Sequence, residues 1–111
     1  MRQWVFGRPE TALLAIDTEE QSVSLDGQLL PVPHREFQLL SLLAANANRA
    51  IGREQIVDHL WGKDYEGELR VVDLYIDRLR KRLSLPADRP CDWRIRTARG
   101  IGYRLEVDTW A

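Results

Sequence analysis

Between Arg70 and Lys81 the apolar side chains recur at helical spacing. Val72, Ile76, Leu79 and Leu83 follow one another at intervals of 4, 3 and 4, so at 100° per residue they share one side. Arg70, Leu74, Asp77, Arg78 and Lys81 fall on the opposite side. The pattern predicts a helix over residues 68–84 that docks by its apolar stripe and shows solvent a row of charged side chains around one leucine. Glu68 in its first turn, and Arg80, Lys81 and Arg82 near its end, agree with the helix dipole.

The same periodicity predicts two earlier helices. Phe37, Leu39, Leu40, Leu42 and Leu43 make the segment after Pro33 apolar over most of its circumference, as a central core helix is. Pro33 suits its first turn, where no N–H is needed, and it ends near residues 46–48. Ile56, Val57, Leu60 and Trp61 share one face of a helix over residues 53–61, with Gly52 as N-cap and an extended link at residues 50–51 before it. The N-terminal third alternates at strand spacing instead, giving strands over residues 4–6, 13–17, 22–25 and 28–32. Asp26-Gly27 is the signature of a type I′ hairpin turn, which needs positive φ at both positions. Residues 62–67 form a loop with glycine at both ends, and Pro86 and Pro90 bracket another. Residues 93–97 and 102–107 close the chain as a hairpin. The order ββββ-ααα-ββ describes an α+β winged helix-turn-helix: an N-terminal four-stranded antiparallel sheet, three helices and a C-terminal β-hairpin wing at residues 93–107. The second and third helices are its pair, on a connection longer than the usual 3–4 residues.

Length and composition narrow the reading. One domain over residues 1–111 is expected, with an ordinary balance of 44% hydrophobic and 30% charged residues. No apolar run approaches the roughly 20 residues of a membrane span, and MRQWVFGRPE has no signal core. A single cysteine, Cys91, fits a reduced cytoplasmic setting. The net charge of −1 hides a strong asymmetry. Residues 1–66 carry 6 Lys/Arg against 10 Asp/Glu, whereas from Arg78 to Arg104 there are 9 against 2. A local patch, rather than the total, sets the field a partner meets.

The chemistry of this patch fits duplex nucleic acid. Arginine presents a planar fork to guanine O6 and N7, which makes Arg78 and Arg70 candidate readers in the major groove. The competing reading of Arg78 is a solvated arginine paired with Asp77 or Asp73. Leu74 is either an isolated exposed leucine or a contact for a thymine methyl. Arg80 and Lys81 are better placed for phosphates, which fix register without reading sequence. Arg94 and Arg96 alternate with Trp93, Ile95 and Thr97, so they point to solvent and are expected on phosphates. Arg99 in Arg99-Gly100-Ile101-Gly102 is expected at the minor groove, whose narrow A·T tracts are most negative. The glycines there permit positive φ and close backbone approach. This Gly-x-Gly leads into a strand rather than a helix, so it is no nucleotide-binding loop. Asp77 either accepts from cytosine N4 or, the preferred reading, pairs with Lys81 or Arg80. Trp61 and Tyr103 are expected in the core. His34, His59 and Cys91 share no metal-ligand spacing, and no nucleophile sits at a recognisable elbow. No enzyme activity and no cofactor are expected.

The segments SLDGQLLPV, REFQLLSLLAAN, REQIVDHLWGKDYEG, RVVDLYIDRLRKRL and IRTARGIGYRL together resemble the C-terminal effector domain of OmpR/PhoB-type response regulators, over roughly residues 13–105. The resemblance implies a two-component, phosphorelay-controlled transcription factor on promoter DNA. Its third helix would lie in the major groove and its wing at the adjacent minor groove. Two copies would sit head-to-tail on direct repeats. Carried over by position, Arg70, Leu74 and Arg78 match groove-facing residues, Arg80 a backbone contact, and Thr97 and Arg99 wing contacts. The loop Gly62, Lys63, Asp64, Tyr65, Glu66 and Gly67, with Trp61, matches a surface that touches RNA polymerase; Tyr65 either meets that partner or packs under the loop. Val71, where many members have threonine, and Asp77, where a basic residue is common, depart from the pattern, as does Pro33-His34 for the frequent Thr-Pro. A receiver domain has no room in 111 residues. The chain therefore reads as an excised effector domain, a stand-alone regulator or an effector fused to another sensor. The rival function is a winged-helix module that binds protein and has no DNA affinity.

Overall fold

The N-terminal meander forms where the alternation predicts it. β1 (Gln3–Phe6), β2 (Leu14–Asp17), β3 (Ser22–Leu25) and β4 (Gln28–Leu30) pair antiparallel in that order. The computed structural model describes residues 3–108. Asp26 and Gly27 turn between β3 and β4 with φ of 52° and 83°, the two left-handed residues a type I′ turn requires. β4 stops short of Val32 because Pro31 has no N–H to extend the ladder. β2 starts one residue late because the Leu13 N–H is bonded to Asp26 Oδ1 at 2.9 Å.

α1 (His34–Ala45) begins one residue after Pro33 rather than with it. Pro33 is the N-cap, extended at ψ 154°, and its carbonyl accepts the Phe37 N–H at 2.9 Å. The helix ends at Asn46, whose Nδ2 donates to the Leu42 carbonyl at 2.9 Å. A two-residue strand follows where the spacing predicts an extended link: β5 (Ile51–Gly52). α2 (Arg53–Leu60) starts directly after it, with Gln55 Oε1 accepting the Gly52 N–H at 2.8 Å. Trp61 is its C-cap, and Gly62, at φ 93°, closes the end by donating to the Asp58 carbonyl at 3.0 Å.

α3 (Val71–Arg82) is shorter at both ends than residues 68–84. Residues 68–70 wind more tightly than an α-helix. The Val71, Val72 and Asp73 N–H groups bond three residues back, to Glu68, Leu69 and Arg70, at 3.2, 3.1 and 3.0 Å. Glu68 therefore lies before the helix, and Asp73 is the acid of its first turn. The expected stripe holds: Val72, Ile76 and Leu79 are fully buried and Leu83 nearly so.

β6 (Trp93–Ala98) and β7 (Gly102–Val107) form the wing, with Arg96 opposite Arg104. β5 joins the far edge of β7, so the C-terminal sheet has three strands, β5-β7-β6, rather than two. Two glycines divide the labour. Gly100 turns the hairpin at φ 79°. Gly102 lets β5 approach so closely that an added Cβ would lie 2.0 Å from the Ile51 carbonyl oxygen. The core is continuous from Leu14, Ile16 and Val23 of the first sheet, through α1, to α2, α3, Tyr103 and Leu105. α1 packs against α2, α3 and β7.

Polar seams fix the wing on this core. The buried Thr11 hydroxyl donates to Asp92 at 2.7 Å, and Trp93 Nε1 donates to the Ala12 carbonyl at 2.9 Å. Arg89 bonds both Asp26, at 3.0 Å, and the Thr11 carbonyl, at 3.1 Å. The chain leading into β6 is thereby tied to the first sheet.

Candidate nucleic-acid interface

The outer face of α3 carries the side chains its wheel predicts. Leu74 is 47% exposed, and Asp77, Arg78 and Lys81 are exposed beside it. Arg70 stands at the N-cap, with Nε 2.6 Å from Glu68 of the lead-in turn. Asp77 pairs with Lys81 at 3.2 Å, one turn on, as its preferred reading has it. Asp73 has no part in holding Arg78. It faces the wing instead.

Arg80 joins the helix to the wing. Its Nε and Nη2 donate to the Ile95 carbonyl at 3.2 and 3.0 Å, and Nη2 also donates to Thr97 Oγ1 at 3.1 Å. Its guanidinium lies 5.6 Å from the centre of the Tyr103 ring. Two turns earlier Asp73 accepts from the Tyr103 hydroxyl and, at 2.9 Å, from Arg53 Nε. α2, α3 and β7 meet at this carboxylate. Arg80 lies two residues from Arg78, and Thr97 two residues from Arg99. Arg80 thus ties α3 to β6, the strand that leads to Arg99 at the wing tip.

Strand alternation divides the remaining cations. Trp93, Ile95 and Thr97 face α3 and the core, so Arg94 and Arg96 stand on the opposite face of the sheet, with Arg104. All three converge on Glu106, at 2.9, 3.1 and 3.3 Å. The structure thus does not bring Arg94 and Arg96 together with α3. Their guanidiniums are engaged with a carboxylate on a different surface from the one that carries Arg78.

Ion pairs sort the patch. Of the 9 Lys/Arg between Arg78 and Arg104, Lys81, Arg82, Arg89, Arg94, Arg96 and Arg104 have carboxylate partners. All of those acids lie outside the counted window, at Asp26, Glu36, Asp77 and Glu106, so the charge seen from sequence is largely offset. Among the described residues, Arg78, Arg80 and Arg99 make no ion pair. All three are exposed.

The loop from Gly62 to Gly67 is built on aromatic packing. Tyr65 packs under it, 5.4 Å from the Trp61 ring, and its hydroxyl donates to the Glu68 carbonyl at 3.2 Å. Gly67 leaves space for that ring, since a Cβ there would lie 2.1 Å from the Tyr65 oxygen. Lys63, Asp64 and Glu66 are exposed. Trp61 is half-buried and packs against the core, and Tyr103 is buried as expected. Among the described residues no group of His, Cys, Asp and Glu is gathered to hold a metal ion. No helix among them is long and apolar enough to cross a membrane.

Ionisable groups that brace the helices and sheets are shifted. Burial works against the Asp73 carboxylate, but bonds from Tyr103 and Arg53 hold it below its ordinary 3.8. Arg89 lowers Asp26 in the same way, and Arg96, then Arg104 and Arg94, lower Glu106 from its ordinary 4.5. Burial and the bond to Asp73 raise Tyr103. A carboxyl with a lowered folded-state value is protonated first in the unfolded chain. Its contribution is therefore complete above the ordinary values and is lost as pH falls through the lowered ones. Urea midpoints are expected to be flat from pH 7 to 5 and to drop between pH 4 and 2, less steeply in Asp73→Asn. An unchanged midpoint at pH 2 would contradict this wiring.

Comparison with known proteins gives one consistent result. Residues 27–105 match the family described as "Transcriptional regulatory protein, C terminal". The chain is 46% identical over 90 residues to the response regulator ArlR of Staphylococcus haemolyticus, covering 81% of this chain and 40% of that protein. It is 36% identical over 97 residues to the sensory transduction protein RegX3 of Mycobacterium leprae, covering 87% of this chain and 48% of that protein. The chain thus spans less than half the length of these curated relatives. Among solved structures, the DNA-binding domain of Klebsiella pneumoniae RstA in complex with the RstA box superposes with a TM-score of 0.77 at 33% identity, covering 96% of this chain and 98% of that one. The DNA-binding domain of CpxR from E. coli gives 0.74 at 27%, covering 96% and 99%.

Proposed function

The chain belongs to the family of transcriptional regulatory protein C-terminal domains, and we propose that it is the DNA-reading domain of an OmpR/PhoB-type response regulator. It binds duplex DNA sequence-specifically to regulate transcription. What supports this reading most is that Arg78 of α3 and Arg99 of the wing are both exposed and make no ion pair among the described residues, while Arg80 ties α3 to the wing strand.

In this reading α3 lies in the major groove, where Arg78 and Arg70 meet base edges and Leu74 meets a thymine methyl. Lys81, oriented by Asp77, sits on a phosphate. Arg80 acts from inside: it holds the wing at a fixed distance from the helix and keeps Thr97 beside it. Arg99 occupies the adjacent minor groove. Arg94 and Arg96 add to the general field from the far side of the sheet rather than touching the same phosphates. The exposed Lys63, Asp64 and Glu66 form the surface for RNA polymerase. Two copies bind head-to-tail on direct repeats spaced by about one helical turn of ~10 base pairs, which puts both on one side of the duplex. A receiver domain elsewhere in the full protein supplies the signal, and the whole works in the cytoplasm.

The test is selection of bound sites from a random duplex library, followed by salt titration on the selected site. Each phosphate contact contributes about −0.9 to the slope of log K against log salt, so several contacts predict a steep, linear loss. A module that binds protein alone would enrich no site and would have no DNA affinity for salt to weaken.

A further inference from the structure

Arg78 is exposed, yet it is not loose. Its guanidinium lies 5.4 Å from the centre of the Tyr75 ring, three residues back on the same helix. Tyr75 is half-buried and is itself held. Its ring meets Trp61 edge-on, with centroids 5.3 Å apart and planes at 86°. Trp61 caps the end of α2, and Arg35 of α1 covers its ring at 5.1 Å while donating to the Leu60 carbonyl. A continuous stack therefore runs Arg35–Trp61–Tyr75–Arg78, from the core helix to the outer face of α3. Only its last member stands on the reading face proposed above.

We infer that Tyr75 is a specificity-positioning residue: its ring, wedged against Trp61, holds the Arg78 guanidinium in the orientation that meets a base edge. The inference rests on the proposed reading of Arg78. A flexible arginine gives up rotamer freedom when it binds, and a planar fork rewards only one orientation. A ring beneath the guanidinium restricts that freedom before DNA arrives, which favours the matched base over others. A residue that merely filled space between α2 and α3 would alter stability and leave base preference alone.

Tyr75→Met removes the ring and keeps an apolar side chain, whereas Tyr75→Phe keeps the ring. Site selection with each variant is compared with Arg78→Ala. Tyr75→Met is expected to lower discrimination about fivefold at the same base position that Arg78→Ala relaxes, with affinity for random duplex and the salt slope unchanged. Tyr75→Phe is expected to retain the preference. The Arg78→Ala/Tyr75→Met double variant is expected to be no more relaxed than Arg78→Ala. A measurement on the unaltered protein removes any dependence on how the variants fold: the Arg78 side-chain protons are expected to show upfield ring-current shifts in NMR spectra. Unshifted protons would overturn the inference, as would a Tyr75→Met variant with intact preference or with equal losses on specific and random duplexes. If Arg78→Ala itself weakens every sequence equally, base reading by Arg78 fails and the inference falls with it. A position-specific Arg78→Ala beside an unaltered Tyr75→Met overturns the inference alone.

Discussion

Arg78→Ala is expected to weaken binding to the selected duplex by about 1–3 kcal/mol, roughly 5- to 150-fold, and to relax preference at one base position. The side chain is exposed, has no carboxylate partner among the described residues, and stands midway along the outer face of α3. Its fork matches the two acceptors on the major-groove edge of guanine. Removing it takes away a base contact and leaves the fold untouched, since among the described residues it meets only the Tyr75 ring. Lys81→Ala serves as the contrast. Lysine on a phosphate reads no sequence, so that variant should weaken all duplexes about equally and make the salt slope shallower by about one. Fluorescence anisotropy on the selected site and on single-base variants of it checks both. Equal losses for Arg78→Ala on specific and random duplexes would remove it from the readers.

Arg82→Ala is expected to cost about 3 kcal/mol of stability. Glu36 in the first turn of α1 is 2% exposed. Its carboxylate accepts from Arg82 Nε and, at 3.5 Å, from Nη2, while Arg82 Nη1 donates to the Pro31 carbonyl at 3.0 Å. One arginine at the end of α3 thus anchors the start of α1 and the chain that enters it. Truncating it strands a carboxylate in the core, and that penalty dominates the loss. For a domain of this size the melting temperature should fall by more than 10 °C. Glu36→Leu with Arg82→Met, which removes both charges and keeps the volume, should recover most of it. A shift of less than 1 kcal/mol in Arg82→Ala, measured by urea unfolding, would show that Glu36 finds another partner.

These two arginines lie four residues apart, and the sequence reveals their roles unequally. Arg78 was legible because periodicity alone assigns each α3 residue to a face, and the stripe through Val72, Ile76 and Leu79 is buried as spaced. Asp26-Gly27 was legible because positive φ at two adjacent positions is a local demand. The pairing of Arg82 with Glu36 was not legible, because 46 residues separate them and only packing brings them together. The same holds for Arg80 with Ile95 and Thr97, and for Asp73 with Tyr103. As a result, counting charge along the chain overstated the cationic patch, whose acids arrive from elsewhere in the fold. The boundaries of α3 were missed because the tighter turns of residues 68–70 carry the same side chains an α-helix would. β5 was missed as a strand because two residues hold no alternation; only the closeness of Gly102 to Ile51 reveals it. Arg94 and Arg96 were correctly turned to solvent by alternation, but that pattern does not say which face α3 covers.

The claim beneath these expectations is that one braced surface engages both grooves of the same duplex at once. Methylation interference at guanine N7 reports the major groove, and hydroxyl-radical cleavage reports the sugars lining the minor groove; both are read on a site drawn from the random library. The expected result is a guanine whose methylation blocks binding, flanked within half a turn on the same side of the helix by protected minor-groove sugars, with that flanking protection lost in Arg99→Ala. Binding that survives methylation of every guanine and protects no sugar would contradict it.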